Sequence, residues 1–186
     1  MTDTVEAIMD ATERRIREAG YSGFSFREIA ADVGVKSASV HYHFPTKSAL
    51  AAAVARRYNH RVVEAANAAI AAGQDAVQAW TAVFRSALED GAKMCLCGSL
   101  GATVGDLTPE VTHEVRQFFD ASIASLVTGG LSTERATQVI ATLEGAILLA
   151  TAQGDAAIFD RATADFRQQA EVETGSPGRP RATRKA

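Results

Sequence analysis

The sequence predicts an all-α protein. A three-helix head carrying a helix-turn-helix precedes a larger helical body, with about nine helices in all. Three observations predict this. Apolar residues recur at spacings of three and four in segment after segment. No stretch alternates apolar and polar residues as a half-buried strand does. Capping and stop residues cut the periodic pattern into pieces of helical length.

Each element follows from local pattern. Residues 4–19 place Val5, Ile8, Met9, Thr12, Ile16 and Ala19 on one face, with Glu13, Arg14, Arg15, Arg17 and Glu18 mostly off it, and Gly20 as the stop. Residues 25–33 open with Ser25-Phe26-Arg27-Glu28, a capping box, turn Ile29, Ala30 and Val33 inward, and end at Gly34. Residues 37–43 form a third helix, apolar at Ala38 and Val40 and mostly polar elsewhere. A helix this short is held by its neighbours rather than by its own hydrogen bonds. Phe44-Pro45 ends it, and Thr46 caps the Ala-rich helix 47–72, which stops at Gly73.

A helix over 75–91 carries Val77, Trp80, Val83, Phe84 and Leu88 on one face. Residues 92–107 combine three small helix breakers with enough apolar content for a short buried helix. Thr108-Pro109-Glu110 starts a helix running to about Thr128, closed by Gly129-Gly130. Ser132 caps helix 133–153, which Gly154 ends, and a last helix spans about 156–171. The expected division is a three-helix head at 1–46, a larger helical body at 47–174, and a disordered basic tail at 175–186.

Composition removes several function classes. The chain has 186 residues, 47% of them apolar and 22% charged, as a globular protein does. No run of apolar residues is long enough for a transmembrane helix. The start, Met1 to Glu6, is acidic and unlike a secretory signal, and two cysteines do not make a disulfide scaffold. A cytoplasmic protein with no membrane partner is expected. The net charge of −3 hides three electrostatic objects. Residues 1–60 hold eight Lys and Arg against seven Asp and Glu, or +1. Residues 61–174 hold seven against fifteen, or −8, and residues 175–186 hold four against none, or +4.

Two short helices joined through Gly34 make a helix-turn-helix candidate, whose second helix must show polar side chains to a DNA major groove. Ser37, Ser39, Tyr42 and His43 suit base edges and phosphates. Arg27, Lys36 and Lys47 flank them and suit phosphates. Residues 20–50 resemble the DNA-binding segment of the TetR/AcrR family of bacterial transcriptional regulators. The resemblance rests on Gly20, Phe24, Ser25, Ile29, Ala30, Gly34, Val35, Val40, His43-Phe44, Lys47 and Leu50. It implies a homodimer of helical subunits on near-palindromic operator DNA, with a small-molecule inducer of unknown identity held in the body. It also implies DNA contacts from Ser25, Arg27, Ser37, Ser39, His41, Tyr42, His43 and Lys47. The sequence departs from the family at Lys36, where a Ser or Thr cap is usual, and at His41, where Tyr is common. Either Ser37 is then left to cap the recognition helix or the helix start shifts, and Tyr42 is left to replace the missing tyrosine.

In the body, Trp80, Phe84, Met94, Leu100, Phe118, Phe119, Ile123 and Leu148 are candidate pocket residues or plain core. Glu144, the one acid on an apolar stripe, is a candidate for a polar ligand group or a solvated edge. Cys95-x-Cys97 leaves three readings open: two small buried hydrophobes, a thiolate that senses electrophiles or oxidants, or a thiolate pair on a metal with His113. Small residues on 109–129 and 133–153 suit a four-helix dimer interface. The tail segment Pro177-Gly178-Arg179-Pro180-Arg181 resembles part of an AT-hook without its leading Arg, or is a solvated basic tail. The expectation is a ligand-responsive repressor that needs no cofactor and no metal and is not an enzyme. The alternatives are a thiol-based sensor on the same scaffold and a small helical carrier or enzyme.

Overall fold

A computed structural model describes residues 2–89 and 94–166. Among the described residues nine α-helices follow one another: α1 (Thr2–Ala19), α2 (Phe26–Val33), α3 (Ser37–His43), α4 (Lys47–Ala71), α5 (Ala76–Glu89), α6 (Leu96–Gly101), α7 (Pro109–Thr128), α8 (Thr133–Gln153) and α9 (Ala157–Ala162). No strand occurs among them. This is the all-helical head-and-body order that the sequence predicts. The basic tail and the far end of the last helix lie outside the described residues.

The caps do what their side chains allow. Thr46 accepts the Ala49 N–H at 3.0 Å and starts α4, and Ser132 accepts the Arg135 N–H at 3.2 Å and starts α8. Asp75 accepts the Gln78 N–H at 2.9 Å, so it caps α5 rather than belonging to it. Ser25 accepts the Glu28 N–H at 3.3 Å, but the Glu28 carboxylate accepts the Ser25 hydroxyl at 2.7 Å instead of a backbone N–H. The last helix is broken at Thr163, whose hydroxyl donates to the Phe159 carbonyl at 2.9 Å.

Helix α4 is the spine, packing against α1, α5, α6 and α7. Its Ala51, Ala52, Ala55 and Ala66 are buried with Leu50, Val54, Tyr58 and Val62, so neighbouring helices approach closely. Deep in the body Trp80 is wholly buried, and its Nε1–H donates to Ser125 Oγ at 3.0 Å. Ser125 in turn donates to Asn67 Oδ1 at 2.5 Å, so three helices share one satisfied polar chain.

Helix α1 is buried over a wider arc than its apolar stripe predicts. Glu13 and Arg17 are 8% and 7% exposed. Glu13 can be buried because Arg57 and Arg61 of α4 meet its carboxylate at 3.2 and 2.5 Å. Arg57 also reaches Glu6 and Asp10, each at 2.7 Å. Arg56 pairs with the buried Glu114 of α7 at 2.6 Å. One turn of α4 thus ties the head's first helix on one side and the body's long α7 on the other.

Candidate nucleic-acid interface and ligand cavity

The head builds its outward face from α2, the turn at Gly34 and α3. Arg15 of α1 grips Asp32 of α2 with Nε and Nη2 at 2.6 and 2.9 Å, and the bidentate pair holds the Asp32 carboxyl below its usual range. Gly34 sits at φ +75°, a conformation that side chains strain, and its N–H closes α2 onto the carbonyls of Ala30 and Ala31. In α3 only Val40 is fully buried. The short helix is therefore pinned by one core residue and shows its polar side chains outward.

Ser25, Arg27, Lys36, His41 and Tyr42 are exposed, and Ser37, Ser39, His43 and Lys47 are half-buried. Tyr42 is 77% exposed, unusual for an aromatic ring with no ligand on it. Its edge meets His43 at 5.0 Å between ring centres, and His41 packs edge-on to Phe26 at 4.5 Å. Lys36 occupies the cap position of α3 without a side-chain cap bond, and Ser37 is the first helical residue. The expectation that Ser37 caps is therefore corrected: a chain that enters the helix at Lys36 leaves Ser37 one position too late. Lys47 lies over the rings of Tyr21 and Phe24, its Nζ 4.8 and 4.6 Å from their centres. Burial lowers its pKa against the opposing pull of Glu28.

A cavity of about 540 Å³ opens between α6, α7 and α8. Five of the candidate ligand residues meet there: Met94, Phe119, Ile123, Glu144 and Leu148. Trp80, Phe84, Leu100, Phe118, Cys95 and Cys97 do not line it, and all six are core. Those six fill the core beside the cavity instead of bordering it. The cavity opens where Gly98, Gly101, Ala102, Ala141 and Gly145 leave room, and those small residues carry no chemical signal in a sequence. Gly98 is the telling one, because a Cβ there would collide with the Glu144 carboxylate.

Both carboxylate oxygens of Glu144 are buried without a hydrogen-bond partner among the described residues. Burial raises its pKa to about 7, with the Cys95 thiol tempering the rise. The two cysteines are free and buried, and Cys95 Sγ accepts the Gly98 N–H at 3.5 Å at the start of α6. Burial, and after it the charge of Glu144, pushes both thiols well up, so each stays a thiol and not a nucleophilic thiolate. His113 lines a separate polar groove between α4 and α7 with His60 and Glu114. Among the described residues no group of three or more His, Cys, Asp and Glu side chains is placed to hold a metal.

Residues 8–54, spanning the head and the start of α4, match the family model of bacterial regulatory proteins of the tetR family. The chain is a TetR-family protein. Its fold is similar over nearly the whole length to a TetR transcriptional regulator from Legionella pneumophila, with 28% identity, a TM-score of 0.78, and coverage of 88% of this chain and 95% of that one. A TetR-family transcriptional regulator from Agrobacterium tumefaciens is 27% identical, with a TM-score of 0.80 and coverage of 90% and 97%. No curated protein sequence matches the chain. It is thus a DNA-binding transcriptional regulator by family, and no helix among the described residues is long and apolar enough to cross a membrane.

In this TetR-family chain the cavity and the head share a wall. Ser99 of α6 donates through Oγ to the Ile16 carbonyl of α1 at 2.9 Å. Arg17 of α1 donates to the carbonyls of Met94 and Ala87, both at 2.9 Å. Met94 and Gly98 border the cavity on the other side of the same segment. Sequence reading missed this link because its acceptors are backbone carbonyls, which every residue has.

Proposed function

We propose that the chain is a ligand-responsive repressor that binds a near-palindromic operator as a homodimer and is released by a small molecule in the α6–α7–α8 cavity. The observation that carries the reading is the head's outward face, with Tyr42 standing 77% exposed on a helix pinned by Val40. Ser25, Arg27, Lys36, Ser37, Ser39, His41, His43 and Lys47 surround it as the further DNA-contacting set. Two such faces one DNA turn or a multiple apart fit successive major grooves.

The dimer reading draws support from α8. Ala141, Leu148 and Leu149 are exposed on it, the two leucines at 52% and 50%, beside half-buried Gly145. Small and apolar residues on one helical face suit a two-fold helix pair. Leu149→Asp is expected to give monomers in sedimentation and to abolish tight operator binding.

The switch needs two states that a ligand tells apart. A ligand that moves α6 pulls on Ile16 and Arg17 of α1 through the bonds of Ser99 and Met94, and α4 carries the same shift along its length. The recognition helices then lose their spacing, and DNA affinity falls. An anisotropy titration against the DNA upstream of the protein's own gene tests the reading. Salt-dependent, sequence-selective binding is expected, together with release by one class of small molecule. Binding no tighter than to random DNA would overturn it.

A further inference from the structure

We propose that the α6–α7–α8 cavity is a site for lipophilic amines, bound as ammonium ions with Glu144 as their counter-ion. This deepens the ligand-responsive reading and rests on it for its biological use, though the site can be tested without DNA.

The cavity states its own requirement. Its walls are apolar, from Met94, Phe119, Ile123, Ile140 and Leu148, and its volume of about 540 Å³ suits a small organic molecule. Glu144 lines it, with its carboxylate packed against Gly98. Both oxygens of that carboxylate are closed off from solvent, and among the described residues only the weakly donating Cys95 thiol interacts with them. A buried acceptor left in this way costs stability unless something supplies a donor. The arrangement is also maintained by the backbone. Gly98 faces the carboxylate so closely that any side chain there would displace it.

Arg17, the arginine bonded to the cavity segment, is committed to the carbonyls of Met94 and Ala87. The titratable groups packed nearest to Glu144 are the thiols of Cys95 and Cys97, both held in the neutral form by burial. One carboxylate in a largely apolar room, where the Thr137 hydroxyl already donates to the Thr133 carbonyl, calls for a ligand with one positive charge and a greasy body. An ammonium in the cavity draws the carboxylate away from Gly98 and donates to it, and charge-assisted bonds of this kind exceed neutral ones. An anionic ligand of the same shape meets repulsion from the same group. A neutral alcohol can satisfy one oxygen only.

The test uses three ligands of one skeleton, 4-phenylbutylamine, 4-phenylbutanol and 4-phenylbutyrate, titrated by calorimetry into the full chain at pH 7.5. The amine is expected to bind at least about tenfold tighter than the alcohol, with the carboxylate weakest. Glu144→Gln keeps the shape and removes the charge, and is expected to erase the amine's advantage while leaving alcohol binding within about threefold. Gly98→Ala, which displaces the carboxylate from the other side, is expected to do the same. Equal affinity for the three ligands, a preference for the carboxylate, or an amine preference that survives Glu144→Gln each overturns the proposal. Operator release separates this failure from that of the functional reading. Selective amine binding without DNA release leaves the site and removes the repressor switch. DNA release by some other ligand, with no amine selectivity, does the reverse.

Discussion

Two glycines mark the two working regions of the molecule, and they are there for opposite reasons. Gly34, in the turn before the recognition helix, has φ +75° and nothing within 4 Å of where a Cβ would stand. Gly98, in α6, is an ordinary helical residue whose Cβ would run into the Glu144 carboxylate. The head needs a glycine for the path of its backbone; the body needs one for the space beside it. The helices that follow this division differ too. Helix α3 has seven residues and fully buries one of them, the rest being half-buried or exposed, whereas α6 has six and buries Leu96, Cys97 and Leu100. One region works by what it presents, the other by what it leaves open.

The largest expected effect comes from emptying the body's side of that comparison. Leu100 is wholly buried beneath the cavity wall, so Leu100→Ala is expected to cost about 2–5 kcal/mol, read as a fall in urea midpoint. Ligand binding should fail with it, because α6 has too few bonds of its own to keep its place.

Glu144 gives the next effect, and its sign depends on pH. Its folded pKa is about 7 against an ordinary 4.5, so folding favours the protonated form. Below pH 4.5 both states carry the proton and the group contributes no penalty. Stability is then lost as pH rises from 4.5 to 7, on the order of 3 kcal/mol in all, and the loss levels off above that. Cys95 and Cys97 do not interfere, since burial raises both thiols well above their ordinary range. Glu144→Gln should therefore raise the melting temperature at pH 8 and leave it nearly unchanged at pH 4.5. Equal melting shifts at the two pH values would show that the carboxylate is not desolvated.

On the head's side, Tyr42→Ala should leave stability within about 0.5 kcal/mol, because an exposed ring contributes little to the core. Operator affinity is expected to fall roughly tenfold, about 1.4 kcal/mol, measured by anisotropy at fixed salt. The pairing of a silent melt with a weakened complex is what separates presentation from packing. A melt shifted by more than 1 kcal/mol would place Tyr42 in the core's service instead.

This division also decides what could be read from the sequence. The head's framework was largely legible, since Ser25, Gly34 and Val40 announce a cap, a turn and a core pin by type and spacing. Helix order in the body was legible from periodicity for the same reason. The cavity was legible only in part. Met94, Phe119, Ile123 and Leu148 were recoverable as apolar candidates and Glu144 as the one acid on a stripe, while Gly98, Ala102, Ala141 and Gly145 define the space by being small. The buried Glu13 and Arg17 were hidden because their partners lie far along the chain, Arg61 for one and the Met94 carbonyl for the other. The Lys36 start of α3 misled for a local reason: a cap can be left without a side-chain bond when a neighbouring helix holds the turn.

The finest test of the contrast is a pair of alanines and a change of sign. Gly34→Ala should cost about 1 kcal/mol through backbone strain alone, whatever surrounds it. Gly98→Ala should also destabilise, but through Glu144. Removing that obstacle in Glu144→Ala leaves an ordinary glycine inside a helix, where alanine is better by roughly 0.5–1 kcal/mol. Adding Gly98→Ala to Glu144→Ala should thus stabilise, whereas adding Gly34→Ala to the same background should destabilise by the same amount as before. If the cost of Gly98→Ala is unchanged in the Glu144→Ala background, then α6 rejects a side chain at that position for a reason of its own, and the carboxylate is a bystander to the glycine rather than its cause.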